Sequence, residues 1–267
     1  MTKHRLKLNQ NQSNILQLLY KFRFATAQLL SNRQKVSVVA STNSLKILMN
    51  LKLIDRKYDN TYRIERKSAF YYLTKEGMRY LRDNFNVDER AIHTMYKNAS
   101  VSEPFAQHCL DIFSAYLSLH SLYPDTFTVF TRPEVLEYNY MPDPTPDLYL
   151  NRINSENDKP NQYLLDILID TQFFIIKKRI DLYVKHFDDG DWTRGAYPTI
   201  LIVCENSNVE DKIARYVQKQ LDDTYIDEQD LIFMTTTSKA LFSSDHTNNA
   251  IWSNTANPQK TLDLNKL

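Results

Sequence analysis

Residues 45–56 read LKILMNLKLIDR and residues 71–77 read YYLTKEG. In the first stretch Leu45, Leu48 and Leu51 recur at helical spacing, which predicts a helix over about Ser41 to Leu51 with those three residues buried. Leu53 and Ile54 follow at once, then residues 55–65, DRKYDNTYRIE, in which Asp59 and Asn60 separate two alternating segments. Both residue types tolerate the left-handed backbone of a tight turn, so a β-hairpin is predicted there. Residues 69–73, AFYYL, read as a further strand, and Thr74 is placed to cap a helix running through Gly77 to Tyr80 and Leu81. Upstream, Ile15, Leu16, Leu18, Leu19 and Phe22 make one apolar helix face with Ser13 as its N-cap; Thr26 opens a short second helix carrying Leu29 and Leu30. The predicted order is helix, helix, helix, hairpin, strand, helix.

With Leu45, Leu48 and Leu51 turned inward, Thr42, Asn43, Lys46 and Asn50 share the opposite face of the third helix. Those side chains suit a DNA major groove, because Asn pairs with adenine N6 and N7 and Lys with guanine O6 and N7. The hairpin region supplies Arg56, Lys57, Arg63, Arg66 and Lys67, which suit phosphates or a minor groove. Charge points the same way. The 267 residues carry a net +1, yet Met1 to Lys97 holds 19 Lys and Arg against 7 Asp and Glu, while the remainder holds 14 against 25. A basic module for a polyanion is joined to an acidic module with another task.

The pattern Leu45-x-x-Leu48 leading to Leu53-Ile54-x-Arg56, then Tyr71-Tyr-Leu-Thr-x-x-Gly77, resembles a bacterial winged helix-turn-helix domain. Such domains typically write it L-x-x-L-x-x-x-G-L-[IV]-x-R and then Y-x-L-T-x-x-G. Lys52 occupies the place of the usual helix-ending glycine, so either a non-glycine takes positive φ there or the turn differs.

Other classes are excluded by composition. Three glycines (Gly77, Gly190 and Gly195) leave no phosphate-cradling P-loop and no G-x-G-x-x-G dinucleotide loop. Hydrophobic residues at 42% and charged residues at 24% rule out wholesale disorder. The longest apolar run is a handful of residues around 199–204, too short for a membrane span, and the first twenty residues lack the apolar core of a signal peptide. Cys109 and Cys204 sit in apolar segments without a C-x-x-C partner, which predicts a reducing, cytoplasmic setting with no disulfide frame and no zinc site.

The predicted organisation is a winged helix over 1–97, a linker over 98–104, a second domain over 105–243 and a polar, loosely packed tail over 244–267. In the second domain Phe105, Cys109, Ile112, Phe113, Tyr116 and Leu119 face one side of a helix, with His108 beside them as a structural histidine. Strands follow at 126–130, 145–150 and 162–169, a helix at 171–187, a strand at 197–203, an amphipathic helix at 208–221 and a strand at 230–234. This α-β-β-β-α-β-α-β order predicts an α/β layer.

Asp147 follows Pro146, and Asp166 lies about twenty residues on, in an apolar strand. That pairing resembles the skeleton of a PD-(D/E)xK nuclease, in which two carboxylates hold Mg²⁺ and a lysine two residues after the second acid assists. Leu168 stands where that lysine would be, and Lys177 or Lys178 on the next helix is the candidate substitute. The candidate catalytic set is therefore Asp147, Asp166 and Lys178, with Asp147 and Asp166 as candidate metal ligands and Mg²⁺ as the cofactor such a site would take.

Both halves together resemble the bacterial replication–relaxation family of plasmids and other mobile elements. The second-half likeness rests on FAQHCLD at 105–111, Pro146-Asp147, YLLD at 163–166, Lys178-Arg179-x-x-x-Tyr183 and Tyr197-Pro-x-x-Leu-Ile-Val203. The family usually has Glu at the Asp166 position with an acid two residues on, and Lys where Arg179 stands. The resemblance implies a winged helix followed by a PD-(D/E)xK-like domain. It implies too a double-stranded DNA-binding accessory protein of replication or mobilisation, with an initiator or relaxase as partner and room for a homodimer. On this reading the nuclease-like domain is inactive. The alternatives are a Mg²⁺-dependent endonuclease using Asp147 and Asp166, and a winged-helix transcriptional repressor whose acidic domain dimerises or senses a ligand.

Overall fold

The computed structural model describes residues 7–153, 162–243 and 249–266. The chain divides into two compact units, Met1–Ser114 and Ala115–Leu267. The overall class is the expected mixture of helix and sheet, with a winged helix-turn-helix in the first unit.

In the first unit α1 (Gln10–Phe22) is closed by a capping box in which Asn9 and Gln12 satisfy each other's backbone amides. The cap thus lies four residues upstream of Ser13, because Asn9 with Gln three positions on satisfies two orphan donors at once. Thr26 caps α2 (Ala27–Gln34) and Ser37 caps α3 (Val38–Asn50), each accepting from the amide three residues ahead. Ile15, Leu16, Leu19, Leu30, Leu45 and Leu48 are wholly buried between these helices. Leu51, expected in the core, is 37% exposed because α3 ends one residue before it.

At the end of α3, Lys52 takes φ 58°, in the left-handed region. Its N–H donates to the Met49 carbonyl at 2.8 Å and that of Leu53 to the Leu48 carbonyl at 3.0 Å, the paired bonds of a Schellman motif. Leu53 and Leu48, the two positions whose apolar side chains usually meet in this motif, are both buried. The geometry usually given to glycine is here imposed on a lysine.

The region read as a hairpin folds differently. Strand β1 (Ile54–Lys57) is followed by a short helix, α4 (Asn60–Ile64), and only then by β2 (Phe70–Leu73). Asp59 is the N-cap of α4, accepting from the Tyr62 amide at 3.1 Å, so the Asp-Asn pair starts a helix instead of closing a turn. β1 pairs with β2 antiparallel, Ile54 opposite Leu73 and Lys57 opposite Phe70, and Ala25 bridges to Tyr71. Tyr62 turns inward with Phe24, Phe70 and Tyr72, and the same cluster takes in Ala106, Cys109 and Leu110. Thr74 caps α5 (Lys75–Asn84), and Asp88 caps α6 (Glu89–Met95). A 3-10 turn at Asn98–Ser100 leads into α7 (Glu103–Leu122), inside which the division between the units falls. Residues 98–104, read as a linker, are therefore largely ordered secondary structure of the first unit.

At this joint the T-x-x-G spacing puts glycine where a side chain cannot fit. A Cβ on residue 77 would stand 2.0 Å from the Leu53 carbonyl oxygen. That oxygen also accepts the Thr74 N–H at 3.1 Å, while the Thr74 hydroxyl donates to the Lys52 carbonyl at 2.6 Å.

The second unit is one seven-stranded mixed sheet in the order β3-β4-β5-β6-β7-β8-β9. In chain order it runs β3 (Phe127–Thr131), α8 (Arg132–Val135), β4 (Leu148–Arg152), β5 (Gln162–Leu168) and α9 (Phe173–Asp188). It continues with β6 (Thr199–Cys204), α10 (Ser207–Thr224), β7 (Phe233–Thr237), α11 (Ser238–Leu241), β8 (Trp252–Asn254) and β9 (Asn257–Leu262). β5, β6 and β7 are parallel neighbours joined by crossover helices, and their residues are almost all buried, as covered parallel strands require. Ile176, Ile180, Tyr183, Val184, Ile213, Val217 and Leu221 of α9 and α10 pack on one face of this sheet.

The expectation of a loosely packed tail is corrected for its described part, 249–266. Trp252 and Leu264 are wholly buried, and β8, antiparallel to β7, and β9, antiparallel to β8, complete the sheet edge. One tryptophan outweighs the polar residues around it, because its burial requires the segment to be held. Residues 244–248 lie outside the described residues. No helix among the described residues is long and apolar enough to cross a membrane.

Replacing Lys52 by Gly removes the left-handed strain and is expected to raise stability by about 1 kcal/mol after the entropy of the unfolded glycine is offset. Gly77→Ala is expected to cost about 1–3 kcal/mol, since the added methyl meets backbone. Hydrogen exchange of the α3 and α5 amides in the full chain reads both; equal protection in Gly77→Ala and the parent would refute the joint.

Candidate functional site

On α3 the buried side is Ser41, Leu45 and Leu48, and the directly opposed side carries Asn43, Lys46 and Asn50, all exposed as predicted from the spacing. Thr42 lies to the flank, half-buried, its hydroxyl donating to the Val38 carbonyl at 2.8 Å. Two residues of the outer face were missed: Val39 is 70% and Ile47 46% exposed, beside the polar trio. Apolar side chains on such a face suit a thymine methyl. Helical spacing from Asn43 would have found both, but apolar types read as core.

The wing cations differ among themselves. Arg63 and Arg66 are exposed and in no ion pair among the described residues. Arg56 is exposed with its guanidinium 5.3 Å from the centre of the Tyr58 ring. Lys57 donates instead to the Val101 carbonyl. Lys67 sits between two carboxylates, Glu65 at 2.7 Å and Glu103 at 2.9 Å, whose hydrogen bonds hold its pKa above the ordinary lysine range. These two lysines are engaged within the first unit.

The second candidate site is the acid pair. Register places it: Leu148 of β4 is opposite Leu165 of β5, so Asp147 arrives beside Asp166. The Asp147 amide donates to Asp166 Oδ1 at 3.3 Å, and Asp147 Oδ2 accepts the Ile167 amide at 2.9 Å. Both acids are only 2% exposed. Each is met by a guanidinium. Arg132 Nη2 lies 3.0 Å from Asp147 Oδ1, and Arg179 grips Asp166 with Nε at 2.5 Å from Oδ2 and Nη2 at 3.0 Å from Oδ1. The Tyr183 hydroxyl donates to Asp166 Oδ2 at 2.6 Å and accepts from Arg179 Nη2 at 2.8 Å. Arg179 also donates to the Pro144 carbonyl. Burial alone would lower the pKa of Arg179, but Asp166, with Tyr183 and Asp147, raises it above the usual guanidinium value. Burial, then the adjacent Asp166 charge, pushes the Tyr183 hydroxyl far up, so it stays a donor.

The structure brings Asp147 and Asp166 together and leaves Lys178 and Lys177 out. Lys178 is exposed, its ammonium 5.6 Å from the Phe174 ring centre, and the Lys177 ammonium lies over the Phe173 and Tyr216 rings. Leu168, on the same strand face as Asp166, packs into the apolar cluster beneath α9 and α10. Arg179, one residue beyond Lys178, takes the inward position. These residues do not fit Mg²⁺: oxygens of both carboxylates are taken by guanidinium N–H groups, and no group of three or more His, Cys, Asp or Glu suited to a metal occurs among the described residues. Arg132 was missed by the sequence reading, which has no spacing rule to join it to Asp147. Tyr183 and Arg179 are an i, i+4 pair.

Residues 16–128 match the replication-relaxation family. The acid pair lies beyond the matched segment. None of the curated proteins compared with the chain matches it. Among solved structures, a cysteine-to-serine mutant of Lactococcus lactis ZitR is 20% identical, covering 45% of this chain and 78% of that one with a TM-score of 0.27. A structure of ZitR described as a zinc-responsive MarR family member is 19% identical over 45% of this chain and 79% of that one, with a TM-score of 0.25. The winged-helix architecture stands on the elements described above.

Arg179→Met, which strands the buried Asp166 charge, is expected to destabilise the second unit by about 3–5 kcal/mol, while Asp166→Leu with Arg179→Met recovers much of that loss. Both tryptophans, Trp192 and Trp252, belong to this unit, so their fluorescence in a urea titration reads the effect. A double variant as unstable as the sum of the singles would contradict the pairing.

A pH limb follows from His186, which is 8% exposed, with Nδ1 2.9 Å from the Tyr197 hydroxyl. Burial lowers its pKa from the ordinary value of 6.5, against upward pulls from Asp191, the Tyr140 backbone and Asp189. The unfolded imidazole therefore takes a proton more readily than the folded one. Stability is full above pH ~6.5 and is lost as pH falls from there through the lower folded value. His186→Gln should flatten that limb of the tryptophan-monitored stability profile; an unchanged slope would rule it out.

Proposed function

We propose that this chain binds double-stranded DNA sequence-specifically through its first unit, with α3 in the major groove. Asn43, Lys46 and Asn50 read base edges there, while Val39 and Ile47 lie against thymine methyls. Arg56, Arg63 and Arg66 hold phosphates from the wing. The single observation that carries this reading is the outer face of α3: three polar side chains able to pair with bases, all exposed, on a helix whose inner face and C-terminus are both fixed. The net charge of +12 in residues 1–97 supplies the sequence-independent attraction that such docking needs.

The match over residues 16–128 supports a role in replication-relaxation, and from it we infer a cytoplasmic accessory protein of plasmid or mobile-element replication or mobilisation. An initiator or relaxase is its partner on this reading. The acid pair of the second unit serves as an internal brace, since guanidiniums take the carboxylates and Leu168 fills the place of the assisting lysine. No observation favours the endonuclease or the repressor.

Selecting duplexes from a randomised library on the full chain, then measuring anisotropy on the winners, tests the proposal. Asn43→Ala and Asn50→Ala are each expected to lose about 1–3 kcal/mol of discrimination at one position of the selected site. Arg63→Ala or Arg66→Ala should weaken all duplexes alike and reduce the salt slope by about 0.9 for each phosphate no longer neutralised. Absence of duplex binding at low salt would sink the assignment.

A further inference from the structure

In the acidic half, α10 carries a stripe of cations that make no ion pair among the described residues, although the same helix also holds Asp211, Asp222 and Asp223. α10 presents Lys212, Arg215, Tyr216 and Lys219 at positions i, i+3, i+4 and i+7, one stripe along its surface. Phe173 and Lys177, an i, i+4 pair on α9, face that stripe across a groove of about 430 Å³. Both helices lie in the second unit. Among the described residues none of the four cations makes an ion pair. The nearby carboxylate Asp181 accepts the Tyr216 hydroxyl at 2.7 Å, and Glu210, at the start of α10, accepts from the Thr235 hydroxyl at 2.8 Å. Arg215 meets only the Asp211 carbonyl of its own helix, through Nε at 3.2 Å.

One of these cations, Lys177, is held in place. The Lys177 ammonium is 4.9 Å from the Tyr216 ring centre and 5.5 Å from that of Phe173, and the two rings meet edge to face. Attraction to the ring faces fixes this ammonium over the groove floor without neutralising it. Beside it at the start of α9, Phe174 is 53% exposed with the Lys178 ammonium over its ring, and Ile175 is 44% exposed. An exposed aromatic next to cations that form no ion pair is the combination by which unpaired bases and their phosphates are held together. A duplex would use the cations alone, because its bases are already stacked on one another.

We infer that the α9–α10 groove binds single-stranded nucleic acid. Lys177, Lys212, Arg215 and Lys219 take successive phosphates, and the Phe174 ring stacks on a base. This site is separate from the α3 surface and does not depend on the proposed duplex reading.

Fluorescence anisotropy of the full chain on a labelled oligo-dT and on a mixed-sequence duplex, at several salt concentrations, tests the inference. The triple variant Lys212→Ala/Arg215→Ala/Lys219→Ala is expected to bind oligo-dT at least tenfold more weakly, with a salt slope reduced by about 2, and to bind duplex as the parent does. Phe174→Ala should weaken oligo-dT about tenfold with an unchanged slope, because it removes stacking and no charge. Lys212→Arg/Lys219→Arg should bind as the parent does. Asn43→Ala/Lys46→Ala, on α3, should spare oligo-dT, so failure of the duplex reading is seen separately. The inference is overturned if the parent does not bind oligo-dT at low salt, if the triple variant melts and binds it like the parent, or if the triple variant loses duplex and oligo-dT equally.

Discussion

The Leu53 carbonyl is where the first unit is joined. It accepts the Thr74 amide, and it occupies space that a side chain at residue 77 would claim. Three features meet at this atom: the left-handed Lys52 that turns the chain out of α3, the start of β1, and the first turn of α5. Backbone contacts of this kind leave little freedom, because neither partner can move aside as a rotamer does. The direction of α3 is thereby set from its C-terminus as well as from the core, where Leu45 and Leu48 are wholly buried. A surface that distinguishes base edges has to be held to within a fraction of an ångström or so, and this joint supplies the rigidity. In a chain with three glycines, one is committed here, while the strain at residue 52 is borne by a lysine.

The second unit meets a different constraint, the burial of charge. Two carboxylates that are 2% exposed need partners, and the sheet register brings Asp147 and Asp166 side by side. Two guanidiniums and one tyrosine hydroxyl are those partners. Arg suits the position better than Lys, because a planar fork grips both oxygens of Asp166 and still reaches the Pro144 carbonyl. A lysine in the same place would leave one oxygen unsatisfied. Arg179 and Leu168 are therefore consistent with each other: one neutralises the acid, and the other packs on the apolar cluster.

What was legible in the sequence follows from which physics is local. Helical spacing of Leu45 and Leu48, the Thr74 cap and the outward Asn43, Lys46 and Asn50 depend on neighbours within a turn or two, and they stand in the structure as read. Asp59 and Asn60 misled, because the same side-chain oxygens that favour a turn also cap a helix, and only the distant pairing of β1 with β2 decides between them. The closing strands were invisible for a similar reason. Residues 249–266 are polar on average, and it is the seat prepared for Trp252 elsewhere in the sheet that orders them. The pairing of Arg132 with Asp147 likewise depends on strand register, which no spacing along the chain encodes. Val39 and Ile47 were hidden by residue type: an apolar side chain is assigned to a core until a structure shows it facing out.

Net charge was the coarsest signal and needs the most care. It predicted a basic module correctly in sign, but Lys57 and Lys67 contribute to the +12 and are spent on a carbonyl and two carboxylates inside the unit. The converse holds in the acidic half. Its carboxylates outnumber its cations, yet Asp147 and Asp166 are bound by guanidiniums, and Asp181 and Glu210 are engaged with hydroxyls. Screening at physiological salt confines the rest to about 8 Å. A ligand arriving at α10 therefore meets Lys212, Arg215 and Lys219 together with Asp211, Asp222 and Asp223 of the same helix, not the average of the domain. What a surface attracts is set by the charges left uncompensated within a Debye length, and a sum over the sequence cannot report that.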